Sequence, residues 1–257
     1  WRSRQGGGGG GGESGHSSGV DGAASGGDCD RFRELPDPGV FHASLDACLA
    51  HQRRASSAAS GGGAMAVQVC LDGSLSSVAR KLRMVGVDAL VAGEVLRRAG
   101  GKGKCGGVHR VRVDVSRAAQ DWRVAALQGR LLVAPQRGLR LLNGKGGGAY
   151  RPLAPDGDPG AQFAELMKLL GLSESDCESS WGSRCGICNS ADWLTLDAAR
   201  ALGEGLISEA VWSSHAGNTP FYRCGKCAQV FWPGAKYDGA MTELKGLALT
   251  TAPEGRP

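Results

Sequence analysis

Nowhere does the 257-residue chain carry the roughly 18–20 consecutive apolar residues of a membrane-spanning helix, so no membrane partner is expected. No secretory signal is visible either. No Ser-His-Asp or Cys-His pattern stands out, which removes the covalent hydrolases built on those constellations. His109 and His215 each lack a partner at ligand spacing. The glycine run from Gly6 to Gly12 is not followed by the Lys-Ser/Thr of a phosphate-binding loop, which excludes that kind of nucleotide site. Cys29, Cys48, Cys70, Cys105 and Cys177 are irregularly spaced and suggest no disulfide scaffold.

Glycine, in contrast, is abundant at 43 residues and unevenly spread. The Gly-, Ser- and Ala-rich first 65 residues offer too little apolar surface to offset their chain entropy, and we read residues 1–65 as a flexible, low-complexity leader. One apolar patch within it, Val40-Phe41 with Leu45 and Leu49, is expected as a short helix. The chain opens on Trp1 rather than Met, so one reading makes it the C-terminal part of a larger 3′–5′ exonuclease whose main domain lies upstream. The net charge of +5 is compatible with a nucleic-acid partner without requiring one.

Near the C-terminus stand Cys185-Gly-Ile-Cys188 and, after 35 intervening residues, Cys224-Gly-Lys-Cys227. Two such knuckles supply the four thiolates of a tetrahedral structural Zn²⁺ site. Gly186 and Gly225 are expected to ease each turn. A redox CxxC opens a helix after a strand; two without that context point to metal and to an intracellular, reducing compartment.

From residue 66 the pattern becomes that of a folded domain. Val67–Leu71 alternates as a strand, and Ser74 is expected to cap the helix in which Leu75, Val78, Ala79, Leu82 and Val85 form one apolar stripe and Gly86 the stop. A short strand from Asp88 to Val91, a short helix to Arg98 and a glycine loop follow. Next come a strand over His109–Val115, a helix over Ser116–Leu127, a strand over Arg130–Ala134, a last strand within 148–153 and a helix over Ala161–Leu170. Strands alternating with helices predict a three-layer α/β domain with a mainly parallel sheet over 66–172. A linker (173–183), a zinc ribbon (184–245) and a flexible tail (246–257) complete the expected organisation.

Two segments together resemble one family. The first runs Val69-Cys-Leu-Asp72-Gly-Ser-Leu-Ser-Ser-Val-Ala79-Arg-Lys-Leu-Arg83-Met-Val-Gly86-Val-Asp88; the second runs Phe221-Tyr-Arg-Cys224-Gly-Lys-Cys227-Ala-Gln-Val-Phe-Trp232-Pro-Gly-Ala-Lys-Tyr237. Both look like the Mut-seven C-terminal RNase domain family, a PIN-like nuclease fold followed by a zinc ribbon. The resemblance implies RNA hydrolysis dependent on Mg²⁺ or Mn²⁺ held by clustered carboxylates. Asp72 matches the family's first acidic ligand and Asp88 the aspartate after the helix-ending glycine, and Asp121 lies near the acid expected in the helix before Gly129-Arg130. The family's next acid falls where this chain has Gln136, a neutral amide that adds no charge to divalent binding.

The basic residues are a separate signal. Arg80, Lys81 and Arg83 flank the expected site, Arg137 follows the third strand, and Arg223 and Lys226 sit among the aromatics of the ribbon. Converging on one rim they would neutralise the phosphates of single-stranded RNA; a merely solvated helix face is the alternative. Two function classes therefore stand at this point. One is a metal-dependent ribonuclease; the other is a catalytically degenerate RNA- or protein-binding module, which Gln136 favours.

Overall fold

The computed structural model describes residues 47–50, 52, 67–98, 109–135, 149–150, 152, 157–215 and 219–249, all within one compact unit formed by residues 36–257. Gln136 and Arg137 lie outside the described residues, as does most of the predicted leader.

Strands β1 (Gln68–Leu71), β2 (Asp88–Val91), β5 (Leu131–Val133) and β6 (Ala149–Tyr150) form a parallel sheet in the order β2-β1-β5-β6. The expected parallel α/β architecture is thus present. Helix α1 (Ser76–Met84) joins β1 to β2, and its stripe of Leu75, Val78, Ala79, Leu82 and Val85 is fully buried against the sheet with Phe163, Leu166 and Met167 of α3 (Pro159–Leu170). The other face of the sheet is covered by α2 (Val115–Leu127), which sets Trp122 and Ala125 against Cys70, Leu132 and Ala134.

Three local expectations change. Asp72, not Ser74, caps the chain's entry to α1: its carboxylate accepts from Ser74 N at 2.9 Å over a 3-10 turn, Gly73–Leu75. The residues before Arg98 form no helix; they are strand β3 (Glu94–Arg98), paired antiparallel with β4 (His109–Val113). Its neighbours decide this, since an isolated apolar run of this length suits either state. The predicted linker contains α4 (Glu174–Glu178), closed by a Ser173/Asp176 capping box.

The short helix expected around Leu49 is present, and it belongs to the folded core. Ala47–Ala50 and Gln52 are helical, Cys48, Leu49 and Gln52 are buried, and the first two join the main core. Gln52 seals the N-terminal end of the sheet. Its Nε2 donates to Gln68 O (2.6 Å) and Gly129 O (2.9 Å), and its Oε1 accepts from Gln68 N (2.8 Å). Three well-placed side chains suffice to order a segment whose average is polar and glycine-rich.

The C-terminal part is a three-stranded antiparallel sheet, β7 (Trp193–Leu196), β8 (Phe221–Cys224) and β9 (Val230–Phe231), in that order. Helices α5 (Ala198–Gly203) and α6 (Glu209–His215) fill the long spacer between the knuckles and build a second small core of Leu196, Ala201, Ile207, Phe221 and Val230. Helix α7 (Ala235–Leu249) runs past the expected end at 245 and returns to the first core through Met241 and Leu244. Among the described residues no helix is long and apolar enough to cross a membrane.

Candidate functional site

Two groupings carry chemistry: the four cysteines and the C-terminal edge of the parallel sheet. Cys185, Cys188, Cys224 and Cys227 are buried with their sulfurs all within 4.8 Å of one another. The close pairs run between knuckles, Cys185 to Cys227 at 3.7 Å and Cys188 to Cys224 at 3.5 Å. Sulfurs bound tetrahedrally at ~2.3 Å from one ion stand about 3.8 Å apart, so the cluster fits a metal such as zinc. A redox dithiol would expose its attacking sulfur, and here Cys185, Cys188, Cys224 and Cys227 are all buried. Cys188 is held below the ordinary thiol value chiefly by its hydrogen bond with Cys185, whose own thiol the same bond pushes up. Leu96 of β3, Ile187, Trp193 and Phe231 pack around the sulfurs.

The two knuckles repeat one backbone pattern. Cys185 N donates to Ser190 O and Asn189 N to Cys185 O; likewise Cys224 N donates to Gln229 O and Ala228 N to Cys224 O. The residue after each second cysteine is left-handed, Asn189 at φ 66° and Ala228 at φ 59°. The turns are therefore eased at those positions rather than at Gly186 and Gly225, neither of which has positive φ. Asparagine tolerates this conformation, whereas alanine is strained by about 1–2 kcal/mol. Glycine's greater freedom in the unfolded chain cancels part of that relief. Ala228→Gly is expected to stabilise the metal-loaded protein by up to about 1 kcal/mol, read as a Tm raised by a few degrees.

Asn189 also ties the knuckle to the α/β sheet. Its Nδ2 donates to Asp88 Oδ1 at 2.6 Å and its Oδ1 accepts from Ala89 N at 3.1 Å. Asp88 further pairs with both terminal nitrogens of Arg130 at 3.0 Å, with Arg184 at 3.8 Å, and accepts from Gln68 Nε2 at 3.2 Å. Burial works to raise its pKa, but Arg130, Asn189 and Arg184 together hold the carboxyl below its ordinary value. The expectation that Asp88 is a catalytic ligand is corrected by register. Asp88 opens β2 opposite Gln68, while Asp72 follows Leu71 at the far end of the adjacent parallel strand. Four residues of strand separate the two ends by about 13 Å, beyond the reach of one ion.

Arg83 is likewise corrected. It is 2% exposed, donates Nε to Ala89 O at 2.7 Å, grips Glu94 with both terminal nitrogens (3.2 and 2.7 Å) and reaches Ile187 O at 2.9 Å. It fastens α1, β2, β3 and the first knuckle together and has no face for RNA. Arg223 pairs with Glu204 at 3.6 Å, whereas Arg80 and Lys226 are exposed.

The opposite, C-terminal edge holds Asp72, Asp121 and one acid not singled out in the sequence, Asp114. Asp114 caps α2 by accepting from Ser116 N and Arg117 N, and its backbone N donates to Gly93 O at 2.7 Å. Gly93, just past β2, donates its N to Asp121 Oδ2 at 2.8 Å. At φ 75° and with Asp114 O only 2.3 Å from where a Cβ would sit, position 93 accepts glycine alone. Gly73, next to Asp72, lies against Val113. Hydrogen bonds from the Ser116 hydroxyl first, then from the Arg117 and Ser116 amides, lower the pKa of Asp114. Burial pushes the Cys70 thiol up to about 12; Arg130 opposes this, and the Asp121 and Asp72 carboxylates add to it. An Asp-x-Ser at a strand-to-helix junction is a capping signal, and it was the available clue to Asp114. Among the described residues, the four cysteines form the one group of three or more metal-ligating side chains already within mutual reach.

Fold and sites define an α/β domain with Asp72 at the carboxyl end of a parallel strand, joined to a module built on four buried cysteines placed as a metal's ligands would be. The chain belongs to the Mut7-C RNAse domain family, whose model matches residues 67–244. That span covers β1 through most of α7 and includes both sites. No curated protein and no solved structure matches the chain. Membership places its function among nuclease and RNA-related activities.

Proposed function

We propose that this protein is a metal-dependent ribonuclease acting on single-stranded RNA, with zinc in the four-cysteine site and Mg²⁺ or Mn²⁺ at the acidic edge. The observation that carries the reading is that Asp72 ends β1 at the same edge where Gly93, just past β2, bonds Asp121 and the backbone of Asp114, the edge at which open parallel sheets place their ligands. Asp72 and Asp114 each commit Oδ1 to a serine and an amide nearby, which fixes the carboxylate plane and turns Oδ2 outward from that bond. Asp121 is held by Gly93 N and by Arg117 at 3.5 Å. These three would hold the divalent ion, which supplies charge stabilisation at the phosphate and an acidified water. The side chains themselves orient the ion and keep the edge anionic.

Asp72→Asn is expected to lower Mg²⁺- or Mn²⁺-dependent cleavage of a single-stranded oligonucleotide by roughly 10²–10³-fold, the several kcal/mol such an ion contributes. Cleavage by the variant at the wild-type rate would exclude this edge as the active site. The separation of Asp88 from Asp72 favours a second reading, a binding module that retains the fold without catalysis. That reading is selected if the wild-type chain binds RNA yet shows no divalent-dependent cleavage.

A further inference from the structure

A half-open groove of about 460 Å³ runs along α1, between that helix, the first cysteine knuckle and α7. It begins at Ser76 and Ser77, beside the Asp72 turn, and ends at Met84. The helix covers about 12 Å over those eight residue steps, the reach of about two extended nucleotides. Its α1 wall presents Arg80 and Lys81, successive cations; Arg83 also lines it, but its guanidinium is buried and bonded to Ala89 O and Glu94. Arg83 and Glu94 neutralise each other at 2.7 Å. Lys81 is paired across the groove with Glu243 of α7 at 2.5 Å. Arg80 has no ion partner among the described residues.

The two members of the Lys81–Glu243 pair are unlike. Lys81 is 20% exposed and Glu243 is 60% exposed, on the outer side of its helix. With its carboxylate open to water the pair is weak and screened by salt, so a phosphate can take the lysine from it.

We propose that this groove is the track for the backbone of single-stranded RNA on its way to Asp72, and that Glu243 holds Lys81 in the place of a phosphate until RNA displaces it. The proposal rests on the RNA-directed reading given above. Arg80 and Lys81 each neutralise one phosphate, and Ser76 and Ser77 add hydroxyls at the Asp72 end. Glu243 lowers affinity without touching the chemistry, which makes it a built-in brake on binding.

The test is binding, with a fluorescent single-stranded oligouridylate and the full metal-loaded chain carrying Asp72→Asn so that no cleavage intervenes. Anisotropy titrations over a salt series give both Kd and its salt slope. Arg80→Ala and Lys81→Ala are each expected to weaken binding and to reduce the slope by about 0.7, the value for one phosphate on a single strand. Glu243→Gln is expected to tighten binding by up to about fivefold, equivalent to about 1 kcal/mol. Lys168→Ala, an exposed cation of α3 away from the groove, is expected to leave the slope unchanged. Wild-type slopes in Arg80→Ala and Lys81→Ala would overturn the track, and unaltered or weaker binding by Glu243→Gln would overturn the brake. Failure of the parent chain to bind the oligonucleotide at all would overturn the RNA reading itself and the groove with it.

Discussion

Asp88→Ala is expected to cost up to about 3 kcal/mol of stability, because it strands the nearly buried Arg130 guanidinium, which has no other anion among the described residues, and removes the partner of the partly exposed Arg184. Arg130 and Arg184 both close on this carboxylate, and Asn189 and Gln68 complete its hydrogen bonding. The loss is measured as a shift of the urea midpoint. Cleavage per folded molecule should survive, in contrast with Asp72→Asn, since Asp88 lies at the other edge of the sheet. A pH dependence accompanies it. The folded-state pKa of Asp88 lies below its ordinary value of 3.8, so its contribution is fully present above that pH. It disappears as the pH falls through the lower folded value, and urea midpoints of the wild type should therefore drop below about pH 4 more steeply than those of Asp88→Ala. Equal steepness in the two proteins would assign the stabilisation elsewhere.

Removal of the metal should have a still larger effect. The apparent binding free energy of structural zinc is about 10–16 kcal/mol near neutral pH, more than the whole stability of most domains. The C-terminal module's own core holds five fully buried side chains, too few to order its three strands and two short helices alone. Chelation, or Cys185→Ser, is expected to melt β7–β9, seen as lost protection of their amides from hydrogen exchange and quenched order around Trp193. The damage should reach the α/β domain as well. Arg83 would lose Ile187 O, and Asp88 and Ala89 would lose Asn189. The edge strand β2 would then expose backbone groups now covered by the knuckle. Retention of β7–β9 protection after complete chelation would show that the cysteines do not hold the module together.

These two effects concern residues that a linear reading treats unequally. The cysteine spacing was legible because ligation imposes a short-range pattern, two sulfurs three residues apart, on each knuckle. The amphipathic stripe of α1 was legible for the same reason, its period being set by the helix itself. Arg83 was not, although it sits in that helix. Whether an arginine off the stripe meets water or a carboxylate depends on Glu94 and on carbonyls about a hundred residues away. The helix expected before Arg98 failed on similar grounds, since pairing with β4 outweighed local preference.

The sequence alone determined the family, the four clustered cysteines, the parallel α/β class and Asp72 as a strand-end acid. Tertiary structure alone decided which acids share an edge. Asp72 follows its strand and Asp88 precedes the next, so parallel pairing sends one to the carboxyl end and the other to the amino end. Gly93, just past β2, ties Asp114 and Asp121 to the carboxyl-end edge, while Asp88 lies under the knuckle. Identical carboxylates thus become a candidate catalytic ligand in one place and a structural anion in the other, because the strand register fixes what each one faces.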